Sequence, residues 1–146
     1  MYFYSVYERI QKANELIKEK IEKDFKDYKL VVTGKKGWLF ESIFEKVKSL
    51  GIEDRVIFTG FIDDRERAPL MAGARLFVLP SFWEGFGLDI LNAYGCGVPV
   101  VVSDRGSIPE VAGEAGLYIN PDNPDEIARE MKKVLLMSEK EYNKLS

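Results

Sequence analysis

Histidine is absent from this chain of 146 residues, and cysteine occurs once, at Cys96. Without an imidazole the chain supplies no histidine base. With one thiol it forms no internal disulfide and no zinc centre of Cys and His ligands. Such cysteine usage suits a reducing, cytoplasmic setting. Glutamine also appears only once, at Gln11, beside abundant Lys and Glu, a bias that resembles thermophile composition. No apolar run approaches the roughly 20 residues that span a bilayer. The opening MYFYSVYERI has neither the basic flank nor the cleavage pattern of a secretory peptide, so any membrane contact is expected to be peripheral. The 21 basic and 24 acidic residues leave a formal charge of −3 with no basic block, which argues against nucleic acid as a partner. No repeat, low-complexity tract or linker interrupts the chain. About 150 residues suffice to bury roughly 68–70% of the unfolded surface, so residues 1–146 are expected to form one domain.

Two hydrophobic periods alternate along the chain. KLVVTG (29–34), RVIFTGF (55–61), ARLFVLPS (74–81) and VPVVVSD (98–104) are short, β-branched or aromatic, and closed by Gly, Pro, Ser or Asp, as buried strands are. Between them apolar residues recur three and four apart: at Ile43, Val47 and Leu50, at Leu70, Met71 and Ala74, and from Leu88 through Leu91 towards Gly95. That spacing gives short helices. Strands too apolar to have a wet face, alternating with helices, predict an α/β fold whose parallel sheet of five or six strands is covered on both sides. GLYIN (116–120) is a fifth short strand. After it, Asp122 or Asn123 caps a helix begun by Pro124, with acids early and lysines late as the helix dipole prefers. Residues 7–28 read as one amphipathic helix with Ile10, Leu16, Ile17 and Ile21 inward, and a strand before it is limited to residues 2–6. A strand that short leaves a sheet edge open, a route to pairing as a homodimer.

An open sheet of this kind takes its ligand beyond the carboxyl ends of its strands. Those ends are the loops TGKKGW, TGFIDD, PSFWEGFG and SDRGSIPE. In PSFWEGFGLDILN a strand ending near Leu79 and Pro80 runs through a glycine-rich loop into a helix from about Leu88. The amides of Phe86, Gly87 and Leu88 then point out of a helix N-terminus, a geometry that binds phosphate. Gly85 and Gly87 let the backbone approach a ligand closely. Glu84 would repel a diphosphate lying on those amides, but suits sugar hydroxyls beside it, which donate to a carboxylate. Asn92 follows eight residues on, about 12 Å along a helix. A glycine turn that merely opens a helix is the plainer reading of the same residues. Cys96, between Gly95 and Gly97, reads as a small buried residue at a helix end. Trp38 and Trp83 suit either stacking on a ligand or packing, and Glu110 either a helix cap or the rim of the cleft.

The run from PSFWEGFG through GCGVPVVVSDRGSIPEVAG to INPDNPDEIA resembles the C-terminal half of a retaining glycosyltransferase of the two-Rossmann-domain GT-B architecture, family 4, and GKKGWLFESIFEKVKSLGIEDRVIFTGFI fits the same family. The resemblance implies a three-layer Rossmann-like domain that binds a nucleotide sugar. Its signature is a glutamate, seven residues and a second glutamate, the first at the donor sugar and the second at the ribose. Glu84 matches the first and is the catalytic candidate, while Asn92 stands at the second. An amide accepts from a ribose hydroxyl without the strength of a charge. The backbone of Gly85, Phe86, Gly87 and Leu88 resembles the family's sugar and diphosphate cradle. The strand ends at Gly34, Lys35 and Gly60 resemble the walls of its base pocket. The family's arginine and lysine for the diphosphate have no match after a first strand: Arg9 and Lys12 are nearest, and Lys35, Lys36 and Arg105 are candidates to stand in. The implied activity is transfer of a hexose, first GDP-mannose and then UDP-glucose as donor, to a sugar or lipid acceptor, with no cofactor and no metal. The family's N-terminal acceptor domain has no counterpart in these residues. They are therefore expected to bind donor weakly and to be inactive alone. A catalytically silent or engineered Rossmann-like module without a working ligand site is the alternative.

Overall fold

The computed structural model describes residues 25, 28–34 and 40–145. The strand expected over 2–6 and the helix expected over 7–28 lie outside the described residues, apart from Phe25 and Tyr28 of the latter, which are not helical. The chain divides into two compact units, Met1–Asp63 and Asp64–Ser146.

In the first unit, β1 (Leu30–Thr33) is followed by α1 (Phe40–Leu50), a 3-10 turn over Glu53–Arg55 and β2 (Val56–Gly60). β1 and β2 run parallel with Leu30 opposite Val56, and a register shift after Val32 sets Thr33 against Gly60. Val47, Ile52 and Val56 form the core, flanked by Leu30, Val32, Leu50 and Phe58. Strand alternation assigns Val31 and Ile57 to the opposite face. Both are exposed. Arg55 reaches back to the carbonyls of Phe25 at 2.6 Å and Tyr28 at 3.0 Å, fixing the approach to β1.

The second unit holds α2 (Asp64–Ala72), β3 (Phe77–Leu79), α3 (Leu88–Gly95), β4 (Val100–Ser103), α4 (Ile108–Ala112), β5 (Leu117–Ile119), α5 (Pro124–Leu136) and α6 (Glu139–Leu145). β4 lies between β3 and β5 and is parallel to both. All four of its residues are buried, as a central parallel strand with two covered faces requires. Val100 and Val102 pack with Leu79, Ile90, Ala93, Ile108 and Ala112. Alternation turns Val101 to the other face, where α5 packs on β4 and β5 with Ile127, Met131 and Val134 buried. Helices thus cover both faces of this sheet, and the expected α/β, Rossmann-like fold with parallel strands is the one found. Its five described strands hydrogen-bond as ladders of two and three.

Local signals explain where the helices begin and end. Asn123 caps α5, its side-chain oxygen accepting from the Glu126 amide at 3.2 Å, with Pro124 in the first turn. Burial alone would raise the carboxyl of Glu130 on this helix. The Lys133 ammonium at 2.7 and 2.8 Å and the Arg129 guanidinium at 3.2 Å nevertheless hold it below the usual carboxylate range. α2 departs from expectation: it contains Pro69, buries none of its residues, exposes Leu70 and ends before Ala74. A proline removes an interior hydrogen bond, and the half-buried Met71 packs this helix against the core. Cys96 is half-buried rather than sealed. It ends α3 with its thiol 3.7 Å from the carbonyl of Ala68.

Candidate functional site

The loop between β3 and α3 begins with two buried residues, Pro80 and Ser81, and then surfaces. Glu84 is half-buried, and its carboxylate accepts a hydrogen bond of 2.8 Å from the hydroxyl of Ser81. Gly87 caps α3 in the left-handed conformation at φ 84°, with no side-chain cap. A Cβ there would lie 3.2 Å from Ile90 Cδ1, so both conformation and space ask for glycine. The Gly87 carbonyl accepts from the Ile90 amide at 3.0 Å. Among the described residues, no backbone acceptor meets the N–H groups of Gly85, Phe86, Gly87 or Leu88. They form a row of donors at the positive end of an eight-residue helix. Trp83, Phe86 and Leu88 are all more than half exposed around this row.

Asn92 lies on the same helix, with its amide nitrogen donating to Asp89 at 3.3 Å. The same carboxylate oxygen of Asp89 takes a 3.3 Å contact from Arg67 of α2. Asp89 in the first turn complements the helix dipole but competes with any anion brought to that end. Arg67 partly offsets its charge.

The next loop, from β4 to α4, lies against this one. The Ser107 hydroxyl donates to the main-chain carbonyl of Glu84 at 2.8 Å. Gly106, at φ 61°, sits so that a Cβ would be 3.7 Å from the Trp83 indole and 3.9 Å from the Glu84 peptide. Arg105 does not stand open to an anion: it is held by Asp104 at 3.0 Å, Asn120 at 3.2 Å and Asp122 at 3.4 Å. Glu110 is exposed in the first turn of α4. Sequence reasoning missed Ser81 and Ser107, because serines in loops read as turn formers. The only signal was their place beside the glycine-rich stretches.

In the first unit, Gly34 and Gly60 are brought together at the carboxyl ends of β1 and β2, the Gly34 amide donating to the Gly60 carbonyl at 2.9 Å. Their φ values are 133° and 69°, and a Cβ on either would meet nothing within 4 Å, so conformation rather than space calls for glycine. Lys35, Lys36, Trp38, Arg9 and Lys12 lie outside the described residues. Among the described residues no helix is long and apolar enough to cross a membrane.

Residues 4–136 match the family described as glycosyl transferases group 1. O-antigen chain mannosyltransferase B of Escherichia coli is 44% identical over 101 residues, which are 69% of this chain and 26% of that protein. The chain therefore spans about a quarter of that relative's length. A solved C-terminal domain of a group 1 glycosyl transferase from Francisella tularensis is 26% identical, with a TM-score of 0.78, covering 96% of this chain and 72% of that one. The Anabaena HepE protein, solved in complex with UDP-glucose, is 25% identical with a TM-score of 0.76, covering 93% of this chain and 39% of that one.

Proposed function

Because the chain belongs to the group 1 glycosyl transferases, we propose that the loop after β3 and the start of α3 bind a nucleoside diphosphate hexose, as the donor half of a retaining glycosyltransferase. The observation that carries this reading is the row of open N–H groups from Gly85 to Leu88, aimed where diphosphate oxygens would lie. As the bond between sugar and diphosphate breaks, negative charge gathers on the leaving oxygens, and fixed backbone donors stabilise it without reorganising. Glu84 beside them accepts from hexose hydroxyls. The Asn92 side-chain oxygen accepts from the ribose. The mannosyltransferase relative favours mannose, hence GDP-mannose, and the UDP-glucose complex of a structural neighbour supports the nucleotide-sugar class. No cofactor or metal enters this scheme, and a cytoplasmic site suits nucleotide-sugar substrates. In this reading the residues act as the donor half, bind donor weakly and do not transfer sugar by themselves.

One observation favours a silent module instead: Asn92 spends its amide on Asp89, and Asp89 adds a negative charge at the helix end. Calorimetric titration with GDP, UDP and their hexose conjugates separates the two. Saturable binding of one nucleotide, weakened by Glu84→Ala or Asn92→Ala, is the expected result; no heat at millimolar ligand leaves ancestry alone.

A further inference from the structure

The geometry points to Ser81 and Ser107 as positioning residues that hold Glu84 at both of its ends. Ser81 is fully buried and donates to the carboxylate; Ser107 arrives from a different loop and donates to the main-chain carbonyl of the same residue. A glutamate on a glycine-rich surface loop has free torsions in both backbone and side chain. One bond at each end removes most of that freedom before any ligand arrives. The approach is possible because β3 and β4 pair in parallel and deliver their two loops side by side. Gly106 takes the left-handed turn that carries Ser107 inward, and it lies close enough to the Glu84 peptide for a Cβ to meet both its nitrogen and its oxygen at 3.9 Å.

The consequence divides the donor into two parts, and it rests on the donor-binding reading above. Backbone N–H groups hold the diphosphate whatever the Glu84 side chain does. The Ser81 bond therefore acts on the hexose alone, and the quantity it controls is the ratio of affinities for GDP-mannose and GDP; the Ser107 bond steadies the planar peptide that also carries the Gly85 N–H, and so acts on both ligands. A preset carboxylate loses little freedom on meeting hydroxyls, whereas a loose one must be ordered by the ligand itself.

Calorimetry of the whole chain with GDP-mannose and with GDP tests this. Ser81→Ala should cut the GDP-mannose to GDP affinity ratio by about tenfold, the scale of one hydrogen bond to a charged group, and leave GDP affinity within about twofold. Ser107→Ala should weaken binding of both ligands, and Ser107→Thr, which keeps the hydroxyl, should restore it. In a Glu84→Ala background Ser81→Ala should change nothing further, a non-additivity that a general structural role would not produce. Thermal melting of each variant shows that it folds. If Ser81→Ala weakens binding of both ligands in equal measure or remains additive with Glu84→Ala, or if Ser107→Ala leaves both affinities unchanged, the clamp is overturned while donor binding stands. If the unaltered chain binds neither ligand, the donor reading falls and takes the clamp with it.

Discussion

The loops that leave β3 and β4 share one topological task, each carrying the chain from a parallel strand into a helix, yet their hydrogen bonding is opposite. After β4, the Asp104 amide donates to Ile119, the Arg105 amide to the Ser103 hydroxyl and the Ile108 amide to the Arg105 carbonyl, and the Arg105 side chain is bound three times over. After β3, the amides from Gly85 to Leu88 meet no backbone acceptor among the described residues. Composition explains the difference. Ser103, Asp104 and Asn120 bring short polar side chains that compete for nearby backbone, whereas Gly85, Phe86 and Gly87 carry none. A closed loop makes a rigid buttress, and an open one keeps its donors for something else.

Substitutions can press on this contrast. The largest effect is expected beneath the loops, where Ile90 and Ile108 are both fully buried. Ile90→Ala and Ile108→Ala should each cost about 2–5 kcal/mol in urea unfolding, and similar values would show that the two loops differ in bonding rather than in footing. The glycines come next. Gly87→Ala and Gly106→Ala both force a side chain into the left-handed region, for about 1–2 kcal/mol. Gly87 should be the worse, because its new methyl meets Ile90 at 3.2 Å while the nearest atom to Gly106 is at 3.7 Å. Asn92→Glu should tighten GDP binding by roughly threefold, a charged acceptor replacing a neutral one. Unchanged binding would remove Asn92 from the nucleoside's surroundings. Arg105→Ala should cost least, about 0–1 kcal/mol and less in high salt, since its carboxylate partners are half exposed.

Features fixed by neighbours in sequence were legible in the sequence. The central stretch of each described strand, the start of α3 at Leu88 and the Asn123 cap of α5 follow from short apolar runs closed by Gly, Pro, Ser or Asp, from the 3.6 period and from a bond spanning three residues. The row of amides could be anticipated because glycine content and a helix start are local properties. Contacts between distant loops were not legible. Residue 107 meets residue 84 only because β3 and β4 pair, and no spacing rule encodes that pairing. Arg105 looked available for the same reason, since the acceptors at Asn120 and Asp122 come from the far end of β5.

Ser81 gives the loop a form of selectivity based on immobility. Its hydroxyl is sealed from water, so a ligand that dragged the Glu84 carboxylate away would strand a buried donor at a cost of about 1–3 kcal/mol. Epimers whose hydroxyls fall where the acid already waits escape that penalty, and those that need it to swing do not. Discrimination between hexoses would then come from a side chain that declines to follow the wrong one.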